Sequence, residues 1–290
     1  MKKSLYKIIT MVLAIVFLLN MNIACAPSES NNQYPTPYPP KKENSIRIMS
    51  YNILSDSMGF DGLSTHMRED VFKDTIASTS PDVLCLQEVS NNWYSSLEKS
   101  NLNLQFTAPL RNRLSMCMTP ILYNTKKLTL LNSGIESYSS SFDSRLRCIS
   151  WGYFSQKITN KKFAVINTHL SLYDKKQYLP LLQATELLDF VNKIKEKYNC
   201  PVFVVGDFNS KQRNHTTTDS STYELISLNL TDSRFPAKSI VSYKEKGAYA
   251  PINDYIFFTG NVVIECYALL SLPQLKTISD HYPILADVIV

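Results

Sequence analysis

The stretch richest in chemistry is Pro201 to Ser210, PVFVVGDFNS, where a run of buried-strand residues stops at Gly206 and presents Asp207 and Asn209. With one residue between them, the acid and the amide reach the same side of an extended chain. An acceptor and a donor so placed can hold a water beside a phosphate, although DxN also closes strands through Asx-type turns. Similar groups recur along the chain. Asn52 ends SIRIMSYNIL, Glu88 follows DVLCLQ, His169 lies near the end of FAVINTHL, Asp254 opens INDYIFF, and Asp280 and His281 precede the last apolar run. Each alone reads as a turn or salt-bridge residue. Together they are eight polar groups at strand boundaries, and polar groups at a common sheet edge converge on one cleft. Glu88 in particular ends an apolar run, where an unpaired carboxylate would cost several kcal/mol, so it must meet a cation, a donor or water.

The elements that must position these groups alternate in type. Ser45 to Leu54 is a strand by its alternation, and Ser64 or Thr65 caps a helix whose apolar stripe is Met67, Val71, Phe72 and Ile76, leaving Arg68 and Glu69 to solvent. A buried strand, DVLCLQEV, follows Ser80 and Pro81, then a short helix around Trp93 to Lys99. Strands are expected over Leu102 to Thr107, Met118 to Tyr123, Leu128 to Tyr138 and Arg147 to Phe154, in antiparallel hairpins. Trp151 reads as core and Arg147 as a surface ion-pair member. Phe163 to Leu170, a helix from about Tyr178 to Tyr198 with a wide apolar face, and PVFVVGDFNS form a strand, helix, strand unit. STYELISL reads as a short helix, and Ile252 to Phe258, Val262 to Leu270 and the C-terminal run as strands. Gly206 is read as the turn where its sheet ends. No internal repeat or second domain boundary is visible within residues 45–290.

Composition bounds the reading further. The formal charge of +5 falls to +2 without Lys2, Lys3 and Lys7, so the domain is no general polyanion binder. Those lysines precede an apolar run, Ile8 to Leu19, of twelve residues, whereas a bilayer span takes roughly 20. Residues 1–24 therefore read as a signal peptide. MNIACAPSES resembles a bacterial lipobox in which Cys25 is lipidated, which would anchor an extracytoplasmic protein to a membrane; plain secretion is the alternative. Residues 25–44, rich in Pro, Ser, Asn and Tyr, read as a tether. The other cysteines are widely spaced, with no CxxC pair, and read as core residues without a zinc cage or disulfide framework.

In order, YNIL, LQEV, NTHL, GDFNS, DYIFF and SDHYP resemble the endonuclease/exonuclease/phosphatase family over about Ile46 to Val290, and TPILYN and RCISW look like its bacterial members. The resemblance implies an α/β, deoxyribonuclease I-like fold: a four-layered sandwich of two packed mixed β-sheets flanked by helices. It also implies a metal-dependent phosphoric ester hydrolase. Asn52, Glu88 and Asp280 would hold Mg²⁺, or Mn²⁺ in its place. Asp207 would orient or deprotonate the attacking water, Asn209 would bind a phosphate oxygen, and His169 and His281, the latter oriented by Asp254, would stabilise its charge. Arg147 would add a substrate contact. Asn253 and Pro180 depart from the family pattern and leave the substrate open: nucleic acid, an inositol or sugar phosphate, or a phospholipid head group such as that of sphingomyelin. Lys211 and Arg213 could steer any polyanion.

Two rivals stand beside this reading. A serine hydrolase needs a nucleophile elbow, which is absent, and the contiguous Ser279, Asp280 and His281 cannot form a relay. The other rival is a catalytically inactive, lipid-anchored binding protein of the same fold. The expected oligomeric state is a monomer.

Overall fold

The computed structural model describes residues 40–56, 64–108, 118–139, 147–172, 178–211, 221–243 and 253–290; the expected leader, most of the tether, Cys25 and Arg213 lie outside them. The described chain opens with β1 (Ile46–Asn52), α1 (Thr65–Thr79), β2 (Val83–Gln87), α2 (Asn91–Lys99), β3 (Gln105–Phe106) and β4 (Ile121–Tyr123). It continues through β5 (Leu128–Ser137), β6 (Cys148–Gln156), β7 (Lys162–His169), α3 (Leu179–Tyr198) and β8 (Val202–Asp207). The last part holds α4 (Ser221–Asn229), β9 (Thr231–Asp232), β10 (Ile240–Tyr243), β11 (Asp254–Thr259), β12 (Val263–Leu270), a 3-10 turn (Pro273–Thr277) and β13 (Ile284–Ile289).

The strands form two sheets. One has the order β10-β12-β13-β1-β2-β4-β3 and the other β5-β6-β7-β8-β11-β9. Both are mixed: β1 with β2 and β7 with β8 run parallel, the pairs joined by helical crossovers as parallel strands require. The hairpin series β5-β6-β7 is antiparallel.

Side-chain parity assigns the layers. Ile46 and Ile48 of β1, Val83 and Cys85 of β2, Phe163 and Val165 of β7, and Phe203 and Val205 of β8 share one core between the sheets. The opposite parity of the second sheet, with Ala164, Ile166, Val202 and Val204, packs against Leu187 and Val191 of α3 and Ile226 of α4. On the first sheet Met49, Tyr51, Leu84 and Leu86 pack against Phe72 and Ile76 of α1 and Trp93 of α2. Helix, sheet, sheet, helix gives four layers, as the resemblance implied. Because the period is two, the inward parity carried to the strand ends selects Asn52, His169, Asp207 and Asp254.

Several expectations are corrected here. Met67, read as part of the helical stripe, is 63% exposed, while Arg68, read as solvated, is 1% exposed. The guanidinium stays buried because Ile53, Leu54 and Ile278 give it carbonyls and Asp56 a carboxylate, and it lies 5.1 Å over the Trp93 ring. Glu69 is half-buried and accepts from Ser96. Gly206 is no turn: it sits inside β8, paired with Thr168 and Tyr255. Its φ of 145° and the 2.0 Å that would separate an added Cβ from the Thr168 carbonyl oxygen explain the glycine. Cys148 is disulfide-bonded, its partner lying outside the described residues, whereas Cys85, Cys200 and Cys266 are free. The strand expected over Leu102 to Thr107 shrinks to β3, and β9, β10 and the 3-10 turn were not anticipated. Strands of two residues exist through their partners and leave no periodic trace in sequence.

Candidate active site

The second sheet brings three of the expected residues into lateral register. His169 at the end of β7 is opposite Asp207 at the end of β8, and Asp207 is opposite Asp254 at the start of β11. From the first sheet, Asn52 at the end of β1 donates its Nδ2 to Asp207 Oδ2 at 3.0 Å and to Glu88 Oε1 at 3.2 Å. One amide thus ties the acids of the two sheets together. Its own Oδ1 accepts from the Leu54 N–H at 3.0 Å, which fixes the loop beyond β1.

Asp207 is the hub. Its Oδ2 lies 3.4 Å from His169 Nε2 and 3.6 Å from His281 Nε2. Its Oδ1 accepts the Asn209 N–H at 2.9 Å, so the Asx-type turn and the cleft coexist in DFN. Asn209, in the left-handed region at φ 48°, donates Nδ2 to the Leu170 carbonyl at 2.8 Å and faces His169 Nε2 at 3.1 Å. Burial first, and then the Asp254 carboxylate, push the Asp207 carboxyl up to about 7, against the pull of His281.

His281 is the most strongly directed imidazole. Its Nδ1 meets Asp254 Oδ2 at 2.7 Å, which leaves Nε2 aimed at Asp207. Burial disfavours its cationic form, yet the charges of Asp254, Asp207 and Asp280 with the Asp254 hydrogen bond outweigh it and raise the imidazole to about 10. The Ser279 Oγ accepts the His281 backbone N–H at 3.1 Å and so sets the approach of the SDH segment. Among the described residues, Asp254 Oδ1 has no hydrogen-bond partner.

Glu88 stands just beyond β2 at φ 60°, a left-handed conformation that strains a non-glycine residue and turns its carboxylate out of the sheet. Its Oε2 accepts the Ser55 N–H at 3.2 Å. Asp280 is exposed at the mouth, with Ser279 Oγ at 3.4 Å from its Oδ1. Glu88, half-buried and bonded to the Asn52 amide, and the exposed Asp280 carry carboxylate oxygens, the donor chemistry that suits a hard, partly hydrated divalent cation. Among the described residues, Asp207, Asp254 and His281 have ligand atoms all within 4.8 Å of one another.

Arg147, read as a surface residue, is buried just before β6, where its carbonyl accepts the Tyr138 N–H at 3.3 Å; burial pushes the Tyr138 phenol up, and the Arg147 charge opposes that shift. Tyr138 in turn bonds Thr168, on the helix-facing side of the sheet, so the contacts described for Arg147 join it to that side. Lys211 is half-buried just past the DFNS segment.

Two supporting features escaped the reading of the sequence. Beneath the site, Gln87 Nε2 donates to Asn167 Oδ1 at 2.8 Å and Ser50 Oγ at 3.2 Å, and Asn167 Nδ2 is shared among the carbonyls of Leu86, Thr119 and Pro120. This buried polar layer separates the apolar core from the acids. Its signal was a polar residue at the inward parity of an otherwise apolar strand. The other is Arg68, whose carbonyl partners flank both Asn52 and the SDH segment.

Comparison with known proteins agrees with this geometry. Residues 49–281 match the sequence model of the Endonuclease/Exonuclease/phosphatase family. Nocturnin of Xenopus laevis is 22% identical over 309 residues, a match covering 90% of this chain and 74% of that relative. Among solved structures, mannosyl-6-phosphatase from Bacteroides thetaiotaomicron VPI-5482 superposes with a TM-score of 0.71 at 20% identity, covering 85% of this chain and 100% of that one. TDP2 of D. rerio, complexed with single strand DNA product, does so at 0.63 and 19%, covering 85% and 99%. These likenesses establish the shared sandwich, and since the family match takes in every motif from the first strand to the SDH segment, the chain belongs to the endonuclease/exonuclease/phosphatase family and is a phosphoester hydrolase.

Proposed function

We propose that the protein is a divalent-metal-dependent phosphodiesterase using Mg²⁺ or Mn²⁺, in which Asp207 positions the attacking water. The observation that carries the reading is Asp207 Oδ2 set between the Nε2 atoms of two imidazoles, His169 and His281, and held by the Asn52 amide. Asn52, Glu88 and Asp280 would hold the cation, which when bound supplies Lewis-acid stabilisation of charge on a phosphate oxygen. A cluster of acids repels an anionic ester, which supports a cation as part of the working site.

The chain's own groups then divide the work. Asp207, with its raised proton affinity, orients the water and accepts its proton as the water oxygen bonds to phosphorus. His281, kept protonated and oriented by Asp254, donates Nε2–H toward the oxygen on which charge develops; Asn209 and His169 donate from the other flank. The bond to the leaving oxygen breaks opposite the entering water. The full complement of donors and acids favours hydrolysis over a binding-only role.

The substrate is nucleic acid or a phosphorylated sugar, inositol or lipid head group; the printed descriptions of TDP2 with its DNA product and of mannosyl-6-phosphatase support both sides of that choice. We place the protein outside the cytoplasm, attached to a bacterial membrane through lipidated Cys25, with secretion as the alternative. Among the described residues no helix is long and apolar enough to cross a membrane. The test is hydrolysis of plasmid DNA, abasic duplex, RNA, inositol phosphates, mannose 6-phosphate, sphingomyelin and a bis-aryl phosphate, with chelator and with Mg²⁺ or Mn²⁺ restored. Metal-restored cleavage of at least one diester is expected; turnover that survives chelation would overturn the metal role.

A further inference from the structure

The strands carry the acids to one end of the sandwich and lysines to the other. Where β1, β7 and β8 begin and β6, β11 and β13 end, an open groove of about 730 Å³ is lined by Lys161, Lys162 and Lys195 with Asn160, Asn199 and Asn261. All three lysines are exposed, and among the described residues none has a salt-bridge partner. Lys126, Lys127 and Lys157 add to this end from adjoining turns, the Lys157 N–H donating to the Lys127 carbonyl. The acids Asp82 and Glu265 here are already paired, with Lys41 and with Lys42 and Lys238. Glu43 and Glu196 remain and leave the lysines in excess.

This base stands about one strand length, roughly 20 Å, from the site, beyond the roughly 8 Å screening length at physiological salt. Its charge therefore does little for a substrate at Asp207. The base is also where the N-terminal segment joins the domain: Ser45 bonds the Lys42 carbonyl, and Gln156 at the end of β6 donates to the Asn44 carbonyl. Cys25 lies twenty residues before Ser45.

We propose that this lysine-lined base is a docking surface for anionic lipid head groups, which holds the domain upright on the membrane with the catalytic mouth facing away. The setting rests on the membrane-attached reading above, but the surface is testable without it. In that orientation the site meets substrates from the surrounding medium rather than head groups of the membrane it stands on, which disfavours the lipid substrates of that same bilayer.

The experiment uses the full chain carrying Cys25→Ser, so that no acyl chain contributes, and co-sedimentation with vesicles of phosphatidylcholine alone or mixed with phosphatidylglycerol. Each lysine near an anionic surface contributes about fivefold in affinity, so K161Q/K162Q/K195Q should weaken binding to the mixed vesicles about a hundredfold. Binding to phosphatidylcholine alone and hydrolysis of a soluble diester should be unchanged. Binding to mixed vesicles should also fall as salt rises. Equal binding of parent and triple variant to mixed vesicles would overturn the proposal, as would lysine-dependent binding of an oligonucleotide without any preference for phosphatidylglycerol. The anchor is judged separately, from the mass of the mature N-terminal peptide: an unacylated Cys25 would refute the tether and leave the surface standing.

Discussion

Arg68 holds two loops that must agree. Its Nη1 takes the carbonyls of Ile53 and Leu54, just past Asn52, and that of Ile278, just before Ser279 to His281. Arg68→Met would leave those carbonyls unpaired, at about 2–4 kcal/mol of stability. A structural loss alone would not alter the folded fraction's demand for metal. The positioning role predicts that the Mg²⁺ concentration for half-maximal activity rises about tenfold or more, with Arg68→Lys intermediate, as titration of activity in folded protein would show. The His281 dyad predicts that Asp254→Asn lowers kcat by about 10²–10⁴ through loss of the imidazole's orientation and charge. A loss confined to KM would contradict that assignment.

At the scale of elements, β8 delivers Asp207 only because Gly206 lets it pass β7 closely. Gly206→Ala would force a Cβ against the Thr168 carbonyl oxygen, 2.0 Å away, beside the residue pair that aligns His169 with Asp207. The expected cost is about 2–4 kcal/mol, read as a lower thermal midpoint together with lost activity. The contact of α1 with α2 has its own pH signature. The Ser96 hydroxyl first, then His66 and Lys73, hold the Glu69 carboxyl down to about 2. A depressed carboxyl stabilises the fold fully above its unfolded value of about 4.3, and this contribution is lost as pH falls from there through about 2. Glu69→Gln should therefore flatten that part of the stability curve while lowering stability at neutral pH; parallel acid curves for the two proteins would count against it.

For the molecule as a whole, the sandwich and most of its cleft were legible in the sequence. The buried runs stop at polar residues, and strand parity alone sends Asn52, His169, Asp207 and Asp254 inward. The phase of α1 was not legible, since a buried arginine is stable only where distant loops supply carbonyls, and those partners are visible only after folding. Asn167 hid for a related reason: one amide inside FAVINTHL acquires meaning from three carbonyls on other strands. Gly206 carried the right signal, a backbone demand, but its cause was a neighbouring strand rather than a turn.

The two sheets come together at Asp207, held by Asn52 from one sheet and faced by the Nε2 atoms of His169 and His281. The most direct test is single-turnover hydrolysis by Asp207→Asn with saturating Mg²⁺ and the best diester from the panel, alongside its thermal midpoint. The proposed role predicts a rate at least about 10³-fold lower in a protein that still melts cooperatively as a folded domain. A well-folded Asp207→Asn protein turning over within about tenfold of the parent would contradict the assignment of Asp207 as the group that positions the water.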